Sequence, residues 1–105
     1  MEILLFYVPC GSKDDAENLV TKLLDMGMIA CGNVIASHSL FVWDGNINKE
    51  NEWVGILKTL PSMEQIVDKQ IEMLHAYQTS AIIRWSARCN AAYFDWLTNM
   101  ITFKP

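Results

Sequence analysis

Three cysteines and two histidines are the residues of this chain that could bind a soft metal or attack an electrophile. No two of them stand in a metal-binding spacing: there is no Cys-x-x-Cys, no His-x-His and no His-Glu-x-x-His. A closed structural zinc site needs four such donors converging on one point, so nothing local in the sequence builds one. Cys10 lies just ahead of a predicted helix N-terminus, where the helix dipole favours a thiolate, and on physics alone it is the better reactive thiol. Cys31, between Ala30 and Gly32, reads as a small buried hydrophobe. His75 falls in the last turn of a helix, where an imidazolium complements the dipole; a metal role competes with that reading. His38 reads as an ordinary strand residue. Nucleophilic catalysis finds no Gly-x-Ser-x-Gly elbow, and the five glycines are too scattered to cradle a phosphate.

Composition narrows the partners. Twelve acidic residues against eight basic ones give a net charge of −4, and no three neighbouring bases occur. Nucleic acid and anionic membrane surfaces both call for clustered cations, so neither is expected as a partner. Ile3 to Val8 is apolar but far too short to cross a bilayer, and it lacks the basic start of a signal peptide, so it reads as a strand. An odd cysteine count without close pairs points to a reducing, cytoplasmic setting. The 105 residues form a single domain, 1–105. With 51% hydrophobic residues, so small a chain either fills a dense core or covers itself by self-association.

The elements that must position these residues are legible from periodicity. Ile3 to Val8 is a continuously apolar strand, expected to end at Pro9 and Gly11. Ser12 opens a helix in which Ala16, Leu19, Val20, Leu23 and Leu24 share one face, with Gly27 to close it. Ile29 to Trp43 and Ile47 to Thr59 are strands joined by Asp44-Gly45, a pair suited to a type I′ hairpin turn. An unbroken arm of about 15 residues would reach roughly 50 Å. A globule of this size is only about 33 Å across. Either bulges at Gly32 and Gly55 break the arms or the hairpin projects from its domain. Pro61 to Gln65 opens a second helix, with Ser62 and Gln65 as its capping box, and Met63, Ile66, Val67, Ile71 and Leu74 on one face. Ser80 to Trp85 is a fourth strand. Asn90 caps a last helix lined by Tyr93, Trp96, Leu97, Met100 and Ile101.

The order β-α-β-β-α-β plus a helix is the ferredoxin-like plan of the α+β class, with an antiparallel sheet ordered 4-1-3-2. The first strand is central. Cys10, the hairpin tip and His75 then lie at one end of the sheet, Cys31 and Cys89 at the other. Cys31 and Cys89 sit on opposite edge strands, about 14 Å apart across three strand spacings. That is beyond the reach of a disulfide, which needs Cα atoms within about 7 Å.

Several segments carry a resemblance to the CutA family of divalent-cation tolerance proteins. Ala30-Cys31-Gly32-Asn33-Val34 resembles the family's Ala-Cys-x-Asn-Ile signature. Ser39 through Ile47 is similar to its Ser-x-Tyr-x-Trp-Glu-Gly-x-Ile hairpin, and Glu52 stands where the family has an acid on the return strand. Ile56-Leu57-Lys58-Thr59, Leu74-His75-Ala76-Tyr77 and Tyr93-Phe94-Asp95-Trp96-Leu97 resemble its Ile-Lys-Thr, His-Pro-Tyr and Tyr-Leu-x-Trp-Leu motifs. The chain departs from the pattern at Ala76, Gln78, Ser80-Ala81, Asn48 and Asn51, and so loses carboxylates that could serve as hard metal ligands.

The resemblance implies a homotrimer without catalytic activity, engaged in the response to metal ions. It implies copper or another divalent metal as the ligand, held by Cys31 and His75, and no organic cofactor. Because those two residues lie at opposite ends of one subunit, a shared metal would have to bridge subunits. The alternative is a module like the PII signalling proteins, with a small molecule in clefts between subunits that the Gln78 to Ala81 loop would line. An acylphosphatase-like enzyme shares the plan, but Gly11-Ser12-Lys13 supplies no arginine to its phosphate loop.

Overall fold

The computed structural model describes residues 1–104. Its order is β1 (Glu2–Cys10), α1 (Lys13–Asp25), β2 (Cys31–Trp43), β3 (Asn46–Thr59), a 3₁₀ turn over Pro61–Met63, α2 (Glu64–Leu74), β4 (Ile83–Arg88) and α3 (Ala91–Met100). The sheet runs β2-β3-β1-β4 with antiparallel neighbours, the order expected from the crossover rules.

Side chains alternate across β1. Leu4, Phe6, Val8 and Cys10 are buried on one face beneath Ala16, Leu19, Val20 and Leu23 of α1 and Val67 and Ile71 of α2. Ile3 and Leu5 face the other way, where α3 contributes Leu97, Tyr93 and Phe94. The Ser12 hydroxyl caps α1 by accepting the Asp15 N–H at 3.0 Å. Arg84 ties β4 to α2, its Nε 2.9 Å from Glu64 and its Nη1 2.9 Å from Asp68.

The hairpin resolves the question of length. Pairing runs from Cys31↔Lys58 to Trp43↔Asn46 in one register, with no bulge at Gly32 or Gly55. Asp44 and Gly45 both take positive φ, 50° and 77°, as a type I′ turn requires. The long axis is therefore 46 Å against cross-sections of 25 and 21 Å. The tip carries its apolar side chains in the open, with Trp43 63% and Ile47 74% exposed. On the α3 side of the sheet, Ile35, Ile83 and Trp85 are also exposed.

Several local expectations are corrected. β1 does not stop before Pro9, which stays in register opposite Val54. β4 begins at Ile83 rather than Ser80. Continuing that register would set Ala81 opposite Pro9, which has no N–H to give and whose carbonyl is already taken by His75. The Ser62 box does not form; the chain enters α2 through the 3₁₀ turn without a side-chain cap. Asn90 is the N-cap of α3 by position but makes no side-chain capping bond. Leu24, Trp96 and Met100 are exposed, so each helical face is narrower than its periodicity suggests.

Gly27 adopts φ 70° after α1, and its carbonyl accepts the N–H groups of Thr102 and Phe103 at 3.0 and 3.1 Å. A Cβ there would run into the Thr102 hydroxyl and approach the Phe103 nitrogen to 3.0 Å. At Gly45 a Cβ would meet nothing within 4 Å. In urea unfolding, Gly27→Ala should therefore cost about 3 kcal/mol, from strained φ and the displaced C-terminal segment together, and Gly45→Ala only about 1 kcal/mol from φ alone. Equal costs would contradict this account of Gly27.

Candidate functional site

The end of β1 and the end of α2 meet in one corner. His75 is the C-cap of α2, and its ring is held at both nitrogens. The Tyr77 N–H donates to Nδ1 at 3.0 Å. The proton therefore sits on Nε2, which donates to the Pro9 carbonyl at 2.7 Å. The same Nε2 lies 3.8 Å from Cys10 Sγ. Beside this pair is a small cavity of about 130 Å³, lined among others by Asp15, Asn18, Lys22 and Ala76. It is the one place where a thiol and an imidazole face each other among the described residues. Sequence reasoning set both at one end of the sheet without pairing them.

Cys10 does not behave as its position before a helix suggested. Burial pushes its thiol up to about 11, and the carboxylates of Asp15 and Glu52 push in the same direction. These effects outweigh the dipole of α1, so the group is a neutral thiol that donates to the Val8 carbonyl.

Cys31 opens β2 on the α3 side of the sheet and is half-buried. Its partner Lys58 pairs in turn with Leu5, five residues along β1 from Cys10. At about 3.3 Å per residue, Cys31 is some 17 Å from the Cys10 level. The structure therefore does not bring Cys31 and His75 together within one subunit. Tyr93 stands near Cys31 and Cys89; burial raises its phenol above the ordinary value, and the two thiols raise it further. All three cysteines are free. His38 Nδ1 lies 3.0 Å from Asn51 Oδ1 in an exposed cross-strand pair, as fits a strand residue. No group of three or more His, Cys, Asp or Glu that could hold a metal occurs among the described residues.

A second feature was only partly anticipated. A groove of about 560 Å³ runs along the projecting hairpin, walled by Phe41, Trp43, Glu50 and Glu52 and closed on one side by Tyr77 and Gln78. The Gln78 to Ala81 loop was expected to line a cleft between subunits; Gln78, Thr79 and Ala81 line this one within a single chain. The Tyr77 hydroxyl donates to Glu52 Oε2 at 2.7 Å, fastening the loop to β3. Tyr77 titrates well above the ordinary phenol range, first through burial, then through its bond to Glu52 and the charges of Glu52 and Glu50. The signal in sequence was the alternation that puts Phe41, Trp43, Glu50 and Glu52 on one face, readable once the register is known.

The state of Cys10 is open to measurement. In the native protein at pH 8, iodoacetamide should label Cys31 and Cys89 first, with Cys10 largely unmodified by peptide mass spectrometry. The folded state holds the Cys10 proton beyond the pH at which the unfolded chain releases it. Its contribution to stability should therefore fall as pH rises from about 9 toward 11. Rapid labelling of Cys10 ahead of the other two would refute this assignment.

Comparison with known proteins supplies the relationship. Residues 4–100 match the family described as CutA1 divalent ion tolerance protein. The divalent-cation tolerance protein CutA of Pyrococcus horikoshii is 31% identical over 96 residues, covering 90% of this chain and 94% of that protein. The crystal structure of divalent ion tolerance protein CutA1 from Ehrlichia chaffeensis superposes with a TM-score of 0.93 at 29% identity, covering 96% of each chain. The structure of the periplasmic divalent cation tolerance protein CutA from Archaeoglobus fulgidus superposes with a TM-score of 0.90 at 26% identity, covering 97% of this chain and all of that one. With nearly the whole sequence matched and the same fold in its relatives, the chain belongs to the CutA1 divalent ion tolerance family.

Proposed function

We propose that the chain acts as a non-catalytic homotrimer in the response to metal ions, binding copper or another thiophilic divalent metal in the cytoplasm. The observation that carries the metal reading is the 3.8 Å approach of Cys10 Sγ to His75 Nε2. A thiolate with an imidazole suits Cu(I) or Zn(II). Cys31, the thiol of the Ala-Cys signature, can share a metal with His75 only from a neighbouring subunit. Both donors at the corner are protonated in the free protein, and His75 must release the Pro9 carbonyl to offer Nε2. Affinity should therefore rise with pH, as protons leave on binding.

The trimer is supported by the bare apolar face of Ile35, Ile83 and Trp85 and by the exposed hairpin tip. Surface of this kind is covered in stable proteins, and a closed ring of like subunits covers it economically. Three free cysteines accord with a reducing compartment. Among the described residues no helix is long and apolar enough to cross a membrane.

Copper titration of the wild type beside Cys10→Ser, Cys31→Ser and His75→Ala tests the ligands. Loss in His75→Ala and Cys10→Ser with Cys31→Ser unchanged assigns the corner; loss in His75→Ala and Cys31→Ser assigns a bridge between subunits. Unaltered stoichiometry and affinity in all three sinks the metal reading. Sedimentation should give three times the subunit mass, and a mass of one subunit at undiluted concentration would refute the trimer; dilution below the assembly constant should unfold the subunit rather than release a folded monomer.

The hairpin groove favours a second reading, a PII-like signalling module that binds a small molecule. Its volume lies within the range of small-molecule sites. A thermal-shift screen over nucleotides and metabolites should then raise the melting temperature with at least one compound other than a metal.

A further inference from the structure

The corner built by Cys10 and His75 is also a joint between separate parts of the chain. Resting on the metal reading of that corner, we infer that His75 is a tautomer switch. With Nε2 engaged by a metal, the ring's proton stands on Nδ1, and the loop 76–81 is released from the end of α2 and β1.

A neutral imidazole carries one proton for two nitrogens. In the free protein the partners dictate its place. The Tyr77 N–H can only donate, so Nδ1 is the acceptor at 3.0 Å. The Pro9 carbonyl can only accept, so Nε2 carries the proton at 2.7 Å. Nε2 is also the nitrogen beside Cys10 Sγ, at 3.8 Å. A ligating nitrogen commits its lone pair and holds no proton, and such a histidine donates its other ring N–H to an acceptor. Here that other nitrogen faces a donor. Moving the proton from Nε2 to Nδ1 leaves the ring with one proton and changes no oxidation state. The N–H groups of His75 and Tyr77 then oppose each other where a hydrogen bond stood, and the Pro9 carbonyl loses its donor. One event removes both bonds that hold the ring.

Tyr77 carries the consequence because the loop has little else to hold it. Residues 76–81 make no backbone–backbone hydrogen bond among the described residues. Tyr77 fastens them through its N–H, through a ring tilted against the imidazole with centroids 4.8 Å apart, and through its hydroxyl on Glu52. Gly11 lets that ring close over the end of β1, since a Cβ there would come within 3.3 Å of a Tyr77 ring carbon. Each of these contacts lies within one chain. The loop hangs between two fixed points, the end of α2 at Leu74 and Ile82, which packs against the core. The grip of Tyr77 and the engagement of Nε2 therefore compete, and by linkage each weakens the other. A Tyr77 that merely supported the site would have the opposite sign, because its loss would weaken the metal.

The test adds Zn(II) or, under reductant, Cu(I), both diamagnetic, to the full chain in its native assembly. Calorimetry gives the affinity, ring nitrogen-15 shifts give the His75 tautomer, and amide hydrogen exchange follows Tyr77. Tyr77→Phe and His75→Ala are the variants, each checked for folding by circular dichroism. Metal should move the His75 proton from Nε2 to Nδ1 and speed Tyr77 exchange about fivefold, the equivalent of one lost hydrogen bond. Tyr77→Phe keeps the N–H and loses the Glu52 bond, so it should bind metal about threefold more tightly. His75→Ala should exchange Tyr77 fast without metal and show no further change with it. Metal binding that leaves Nδ1 an acceptor, leaves Tyr77 exchange unchanged, or is no tighter in Tyr77→Phe overturns the switch while the metal reading stands. Metal-driven exchange that persists in His75→Ala overturns it as well. No binding of either ion overturns both.

Discussion

The unbroken ladder between β2 and β3 is the constraint on which most of this molecule depends. Thirteen consecutive pairs, from Cys31↔Lys58 to Trp43↔Asn46, hold a single register closed by one tight turn. Without a bulge the twisted ribbon cannot fold back onto the body, so it extends the subunit to 46 Å. The same register decides which side chains share a face. It sets Phe41 and Trp43 beside Glu50 and Glu52, and it leaves Leu40, Val42 and Ile47 without cover. A single-residue slip would invert every one of these placements.

At the base of the hairpin a short chain of hydrogen bonds joins the two features of interest. His75 binds the Pro9 carbonyl and receives the Tyr77 N–H, and Tyr77 binds Glu52. The end of α2, the end of β1, the loop before β4 and the hairpin are thus fastened through two side chains. Pro9 matters here through what it lacks: without an N–H it cannot extend the ladder to β4, and its free carbonyl becomes the anchor for the imidazole. The buried Cys10 thiol sits against this network as a neutral group, its acidity set by burial and by neighbouring carboxylates rather than by the helix that follows it.

Much of the fold is legible in local sequence. The α1 stripe of Ala16, Leu19, Val20 and Leu23, its Ser12 cap, the Asp44-Gly45 turn and the sheet order all follow from local chemistry and chain handedness. Departures occur where a distant residue competes with local preference. Ser80 to Ile82 has strand character but no partner, because Pro9 and His75 have closed that stretch of β1. Ser62 yields its expected role to a 3₁₀ turn that buries Met63. Trp96 and Met100 keep helical spacing yet remain exposed, since α3 covers only the lower part of its sheet face around Ile3, Leu5 and Ala30.

The candidate site divides in the same way. The residue types, His75 as the imidazole at a helix end, and the separation of Cys31 from it are legible in the order of residues alone, because strand order and length follow from pattern and chirality. Packing of the folded chain is what makes Cys10 the thiol at 3.8 Å, engages both nitrogens of His75, and sets the carboxylates of β3 beside aromatic side chains across a groove. Those contacts join positions 65, 66 and 25 residues apart or depend on a register fixed over thirteen pairs. Local preference carries no information about such meetings; they are settled when packing brings the ends of separate elements to one point.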